Sequence, residues 1–133
     1  MESLTREAEF EQLLEIAGGL YREGSFTVVL KTVRGNFYHA VTPIDPLDFS
    51  GEDAMVREME QHDDTRVKRI VCLNSPTCVG VVSGNLRHKL RSLNERNMEA
   101  EILLQGPKPD TYGYRPFAYI FPPAEQIRKE ENL

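Results

Sequence analysis

The sequence predicts an α/β fold with three layers, in which helices cover both faces of a mixed sheet of five strands. Residues 78–82 and 102–104 are apolar without polar alternation, which is typical of strands that are covered on both faces. Between these two stretches, Leu86, Leu90 and Leu93 recur at helical spacing. A strand, a helix and a second strand within this length indicate a parallel crossover unit.

A β-hairpin is predicted before this unit. Residues 26–33 and 37–42 are rich in β-branched and aromatic side chains, and the Arg-Gly-Asn sequence at 34–36 is typical of a hairpin turn. Residues 67–73 form a further strand, which is apolar enough to lie in the middle of the sheet.

Two helices complete the predicted layers. Residues 4–22 carry apolar side chains at steps of three and four, with glutamates on the opposite face. Gly18 and Gly19 weaken this helix, and close packing against a flat surface would explain them. A second helix is expected from Ser50 to about residue 62, because Ser50 and Asp53 form a capping-box pattern.

The end of the chain is rich in turn residues and aromatic side chains. Residues 106–114 are predicted to form a loop, and residues 117–121 form either a last strand or an aromatic tie-down. Pro122 and Pro123 then begin a short polar helix. Five aromatic residues belong either to the core or to a subunit contact, since aromatic side chains are favoured in the cores of interfaces. They are Tyr112, Tyr114, Phe117, Tyr119 and Phe121.

Composition limits the function classes. The 133 residues are expected to form one domain, residues 1–133. Sixteen basic against 21 acidic residues give a net charge of −5, which argues against a nucleic-acid or anionic-membrane partner. No apolar run approaches the roughly 20 residues of a membrane span, and the polar amino terminus does not resemble a secretion signal. We therefore expect a cytoplasmic protein.

The two cysteines, Cys72 and Cys78, flank an Asn-Ser-Pro-Thr turn. In a reducing compartment such residues are expected to be free, partly buried thiols, and a disulfide between them is the alternative.

The residues at two helix starts carry a resemblance to a known family. Ser50-Gly51-Glu52 begins one helix, and the stretch from Val82 through Ser83 to Arg87 begins the crossover helix. In this order and spacing the chain resembles the small cytidine deaminases and the related blasticidin-S deaminases. There the first helix begins with Cys-Ala-Glu or His-Ala-Glu and the crossover helix with Pro-Cys-x-x-Cys; three ligands hold zinc and the Glu moves protons. The resemblance implies a cytidine deaminase-like fold over nearly the whole chain.

The departures from the family pattern bear on function. At the positions of the three zinc ligands this sequence has Ser50, Ser83 and Leu86, and catalytic zinc requires three protein ligands that are stronger than these. Zinc is therefore expected to be absent, and with it the activated water that deamination needs. Where many members have Arg after the catalytic Glu, this chain has Asp53.

The same resemblance supplies a set of candidate binding residues. Glu52 is the one catalytic position that is retained, either as an acid at a helix start or as a hydrogen-bond acceptor for a ligand. Thr42 lies at a ribose-binding position of the family, and Asp45 could replace the second one after a shift of one residue. Ser83 and Asn85 are expected to be helix caps that could, with Arg87, hold an anion. The candidate ligand-binding residues are therefore Thr42, Asp45, Ser50, Glu52, Ser83, Asn85 and Arg87. A basic outer face of the crossover helix is expected to be a solvated surface or a phosphate track; its residues are Arg87, His88, Lys89, Arg91 and Arg96.

Three hypotheses follow. The first is a non-catalytic deaminase-like protein that binds a nucleoside-like small molecule or self-associates as a dimer or tetramer, as the family's small members do. The second is an active cytidine or blasticidin-type deaminase with an altered metal site, and the third is an interaction partner with no ligand. A substitute metal site, which would support the second hypothesis, would draw on Glu58, His62, His39, Cys72 and Cys78.

Overall fold

The computed structural model describes residues 4–108 and 111–121, which form a mixed sheet with helices on both faces. The helices are α1 (Arg6–Leu20), α2 (Ser50–Gln61) and α3 (Gly84–Leu93), and two 3-10 helices lie at Glu95–Glu99 and Phe117–Ile120. The strands are β1 (Ser25–Thr32), β2 (Phe37–Pro43), β3 (Val67–Ser75), β4 (Cys78–Val79), β5 (Glu101–Gln105) and β6 (Tyr112–Pro116).

The strands lie in the order β2-β1-β3-β5-β6, and the short β4 pairs with β3. The predicted hairpin is confirmed, since β1 and β2 are antiparallel and joined by a tight turn in which Gly35 has a φ of 91°. At that φ a residue with a Cβ would be strained. The third predicted strand, β3, is central as expected, antiparallel to β1 and parallel to β5.

The side chains of the central strands alternate between two apolar layers. Val28, Leu30, Ile70 and Cys72 face a core that α2 and α3 cover, whereas their neighbours Val29, Val71 and Leu73 face a core that α1 covers. Both faces of β1 and β3 are therefore buried, which explains their apolar runs. This arrangement confirms the predicted three-layer α/β class.

The crossover unit differs from the prediction in its first strand. A full strand was expected at residues 78–82, but only β4 forms there, and it is antiparallel to β3. The parallel partner of β5 is β3 itself. The chain turns back so closely that a Cβ on Gly80 would lie 2.1 Å from the side chain of Asn74. Val79 and Val82 are buried while Val81 is half exposed, so the apolar run indicated burial rather than a continuous strand.

Helix α1 begins where Thr5 accepts a hydrogen bond from the backbone N–H of Ala8 at 3.1 Å. The packing explanation for Gly18 and Gly19 is wrong: both are exposed, and a Cβ on either would have no atom within 4 Å. No helix within the described ranges is long and apolar enough to cross a membrane.

The carboxyl-terminal prediction also needs correction. Strand β6 occupies part of the predicted loop, and residues 117–120 form a 3-10 helix instead of a strand. The aromatic tie-down is confirmed, because Phe117 and Phe121 are buried and pack edge to face with ring centroids 5.2 Å apart. Tyr112 and Tyr119 are exposed by 40% and 62% and so do not belong to the core of this chain. The helix predicted from Pro122 lies outside the described residues.

Candidate functional site

The starts of α2 and α3 meet on one face of the sheet. The start of α2 lies so close to β2 that a Cβ on Gly51 would be 3.2 Å from the carbonyl oxygen of Val41. Helix α3 begins after Ser83, whose hydroxyl accepts a hydrogen bond from the backbone N–H of Leu86 at 3.1 Å. Ser83 is therefore the N-cap that the sequence predicted.

Glu52, in the first turn of α2, lies at the centre of this meeting point and is fully buried. The hydroxyl of Ser83 lies 2.7 and 2.9 Å from its two carboxylate oxygens, and the side-chain amide of Asn85 donates to Oε1 at 3.1 Å. A buried carboxylate requires such donors, because removing it from water without them is costly. The two helix starts are thus joined by hydrogen bonds from α3 to α2.

Asp53 extends the same network towards the surface. Asn85 donates to its Oδ1 at 3.1 Å, and Lys89 lies 3.4 Å from the same oxygen. The hydrogen bond from Asn85 lowers the pKa of Asp53, and the positive charge of Lys89 adds to the effect. Asp53 is therefore a second point of attachment between the helices.

The predicted capping box at Ser50 is wrong. The residue at the cap position is Phe49, and its side chain makes no capping hydrogen bond. Asp48 instead accepts the backbone N–H of Ser50 at 2.9 Å, and this bond, with a second one from the Ser50 hydroxyl, lowers the pKa of Asp48. A carboxylate two residues before the first helical amide can reach it. Ser50 is the first residue of α2; its side chain is exposed and donates a hydrogen bond to Asp48.

Cys72 is a member of this site that the sequence reasoning did not assign to it. It is fully buried on β3, and burial raises the pKa of its thiol to about 12, with the negative charge of Glu52 contributing. The thiol is therefore neutral under the site. Alternation along β3 could have placed Cys72 on the face that α2 covers, since Ile70 lies on that face. Cys72 and Cys78 are both free; Cys72 is buried and Cys78 is exposed.

The other predicted binding residues do not join this network. Thr42 is fully buried on β2, and its hydroxyl has no hydrogen-bond partner among the described residues. Asp45 is exposed in the loop before α2. The guanidinium of Arg87 lies close to Gly84, the residue after Ser83, and donates to the carbonyl of Ile120 at 2.9 Å, which ties α3 to the second 3-10 helix.

The basic outer face of α3 is divided among different partners. Lys89 pairs with Asp53 and Arg96 with Glu99, while the guanidinium of Arg91 lies over the ring of Phe121. His88 is exposed. Three of these basic side chains therefore interact with other side chains of the same chain.

The substitute metal site does not assemble within the described ranges. No group of three or more His, Cys, Asp or Glu side chains there is arranged to hold a metal ion.

Comparisons with known proteins place the fold. No family model matches the chain, and no curated protein gives a significant match. Among solved structures, the cytidine deaminase from Bacillus anthracis is similar with a TM-score of 0.63 and 16% identity, over 90% of this chain and 93% of that one. The cytidine deaminase from Burkholderia pseudomallei is similar with a TM-score of 0.62 and 13% identity, over 90% and 98%. That from Mycobacterium leprae has a TM-score of 0.61 and 16% identity, over 85% and 97%. At these identities the likeness shows the fold, and the chain has a cytidine deaminase-like fold.

Proposed function

We propose that this chain is a non-catalytic protein with a cytidine deaminase-like fold that acts by binding, and that its ligand is a nucleoside-like small molecule. The proposal rests on the burial and the hydrogen bonds of Glu52. The single hydroxyl proton of Ser83 is shared between the two carboxylate oxygens of Glu52, Asn85 donates to one of them, and Glu52 has no exposed surface. A general acid or base must come within hydrogen-bond reach of the proton it transfers. Glu52 in this position holds two helices together.

The residues at the expected metal positions do not fit zinc. Leu86 is fully buried in the apolar core and has no donor atom, and the Ser83 hydroxyl is already bonded to Glu52. Ser50 is exposed and interacts with Asp48. Neutral hydroxyls are poor ligands beside the Cys, His and carboxylate groups that zinc prefers. Since the donor set is inadequate, we derive no hydrolytic step at this site.

The buried hydroxyl of Thr42 supports a binding role. A buried polar atom without a partner costs free energy, and such atoms are usually satisfied by water or a ligand. Thr42 also lies at the position which the resemblance associates with ribose. A hydroxyl of a nucleoside-like molecule would give Thr42 the hydrogen-bond partner it lacks, after a local shift that opens this fully buried side chain.

Self-association is the second candidate, favoured by the aromatic side chains at one edge of the sheet. Tyr112 on the edge strand β6 and Tyr119 after it are exposed by 40% and 62%. Tyrosines are enriched at the centres of subunit contacts. A dimer or tetramer would bury them.

Two assays test the proposal. Purified protein, with zinc supplied, should not deaminate cytidine or blasticidin S, with the Bacillus anthracis cytidine deaminase as the positive control for cytidine. A panel of nucleosides should raise the thermal midpoint, since a ligand at a hundred times its dissociation constant stabilises by about 2.7 kcal/mol. Cytidine turnover that Glu52→Gln abolishes would overturn the non-catalytic claim. If no nucleoside shifts the thermal midpoint and light scattering shows a dimer or tetramer, self-association replaces nucleoside binding as the proposed function.

A further inference from the structure

A second candidate site lies at the start of β3, near Val67. A groove of about 320 Å³ lies there between the end of β1 and the residues that precede β5. Its lining includes Val33, Arg66, Lys68, Arg69, Arg96 and Glu99. Strand β3 rises roughly 3.3 Å per residue, so Arg69 of the groove lies roughly 10 Å along the strand from Cys72 of the site around Glu52.

The groove has more positive charge than its carboxylates neutralise. Beside it, the carboxylates of Glu9 and Glu101 are shared by four cations, Arg6, Lys31, Lys68 and Arg69. Arg96 pairs with Glu99 at 2.9 Å. Arg66 has no ion-pair or hydrogen-bond partner for its side chain among the described residues. The chain has a net charge of −5, so this local excess of positive side chains is opposite in sign to the charge of the whole molecule. Such a patch attracts anions.

Arg69 supplies an independent indication. Its side chain is 14% exposed, its Nη1 lies 2.8 Å from Glu101, and yet its Nε is buried with no hydrogen-bond partner. Buried N–H groups are normally paired, so this Nε is a donor in a groove-lining side chain whose acceptor the described residues do not supply. Lys68, which also lines the groove, is 39% exposed and pairs with Glu9 at 3.1 Å.

We propose that this groove binds the phosphate group of a small molecule. Arginine side chains bind phosphate oxygens through two parallel hydrogen bonds, and Arg66 and Arg96 both line the groove. The volume exceeds that of a phosphate ion, and the half-exposed Val33 provides an apolar surface for the rest of the ligand. This site is separate from the one around Glu52, and the proposal does not depend on the function proposed there.

The test is an NMR titration of the full chain with inorganic phosphate and with pyrophosphate, at constant ionic strength maintained with chloride. Saturable shifts are expected at the backbone amides of residues 66–69 and 96–99. Arg66→Gln should weaken binding by roughly tenfold, because it removes a charged hydrogen-bond donor. Glu99→Gln should strengthen it, because the variant removes a negative charge beside the anion and leaves Arg96 free to contact it.

Arg22→Gln is the matched control, since it removes the same charge near the opposite end of β1. Eight strand residues place it roughly 25 Å from the groove, beyond the screening length of about 10 Å in 0.1 M salt. Its affinity for pyrophosphate should equal that of the unmodified chain. Shifts that do not saturate with either anion would overturn the proposal, and so would equal weakening by Arg22→Gln and Arg66→Gln. If Arg66→Gln fails to fold, Glu99→Gln decides, and unchanged or weaker binding there overturns the proposal.

Discussion

The hydrogen bonds around Glu52 show how a few side chains can fix the relation between two helices. The donors Ser83 and Asn85 come from a segment more than thirty residues further along the chain. Each donor also serves its own helix start or a neighbouring carboxylate, since Ser83 caps α3 and Asn85 reaches Asp53. Removing one donor therefore affects more than one bond.

Replacing Ser83 by alanine is expected to destabilise the protein by roughly 2 to 4 kcal/mol. The change removes a hydrogen bond to a buried carboxylate and an N-cap together. The free energy of unfolding from urea titrations measures the effect. Ser92→Ala is the control, because Ser92 is an exposed residue of the same helix and should change stability by less than about 0.5 kcal/mol. Equal effects of the two substitutions would contradict the structural role of Ser83.

Asp64 is a second buried carboxylate, which ties the β1–β2 hairpin to the end of α2. Its Oδ2 accepts hydrogen bonds from Asn36, Thr32 and Tyr38 at 2.7, 3.1 and 3.1 Å. Burial alone would raise the pKa of Asp64, but these three bonds and the charge of Arg34 lower it below the ordinary value.

The lowered pKa of Asp64 predicts an acid-dependent contribution to stability. Since the folded-state pKa lies below the unfolded value of about 3.9, the contribution is complete above that pH and is lost as the pH falls through the folded value. Asp64→Asn should be less stable than the unmodified chain by roughly 1 to 3 kcal/mol at pH 7. The difference should shrink below about pH 4 in urea titrations taken across the pH range. Asp63→Asn, at an adjacent exposed carboxylate, is the control and should change stability little at pH 7, whereas a deficit for Asp64→Asn that stays constant with pH would refute the linkage.

At the scale of elements, α1 contains a weakness that packing does not explain. Gly18 is exposed in the last part of the helix, its φ is not positive, and a Cβ there would contact nothing within 4 Å. Glycine in such a position costs conformational entropy without a compensating contact.

Gly18→Ala is therefore expected to stabilise the protein by roughly 0.5 to 1 kcal/mol. The thermal midpoint and the urea midpoint should both rise. Gly35→Ala is the contrasting variant, since Gly35 has a φ of 91° in the β1–β2 turn and the substitution should destabilise. A loss of stability in Gly18→Ala would show that the residue has a role that the structure does not reveal.

Helices and strands were predictable where apolar residues recur at a regular spacing or where a short stretch has a typical composition. The β-branched and aromatic side chains of residues 26–33 identified β1, the apolar stretch in residues 67–73 identified β3, and the residues at 34–36 identified the hairpin turn. The strand at residues 78–82 was mispredicted because an apolar run reports burial but not backbone pairing, which here depends on the close approach of Gly80 to Asn74. Similarly, β6 was missed because Tyr112 and Gly113 lie among residues that are common in turns.

The candidate site was predictable to the extent that it depends on the spacing of residues along the sequence. The spacing of the two helix starts brought Glu52, Ser83 and Asn85 together as expected. The orientation of single side chains could not be read from spacing: Ser50 turns to Asp48 and Arg87 turns to Ile120. Those contacts depend on neighbours that only the folded chain supplies.

Across the whole molecule, the two proposed sites share no residue, although both draw on the central strand, through Cys72 at one and Arg69 at the other. The network around Glu52 lies where α2 and α3 begin, and the basic groove lies where β3 and β5 begin. The same parallel pair of strands therefore separates a site with a buried carboxylate from one with an excess of cations.

We propose that this cytidine deaminase-like fold holds its two helix starts together with hydrogen bonds in place of a metal. Zinc content tests it most directly, measured by mass spectrometry on protein that has been expressed with added zinc and purified without chelators. We expect far less than one zinc per chain, because Ser50, Ser83 and Leu86 do not supply a catalytic ligand set. A content of about one zinc per chain that survives dialysis would contradict the claim.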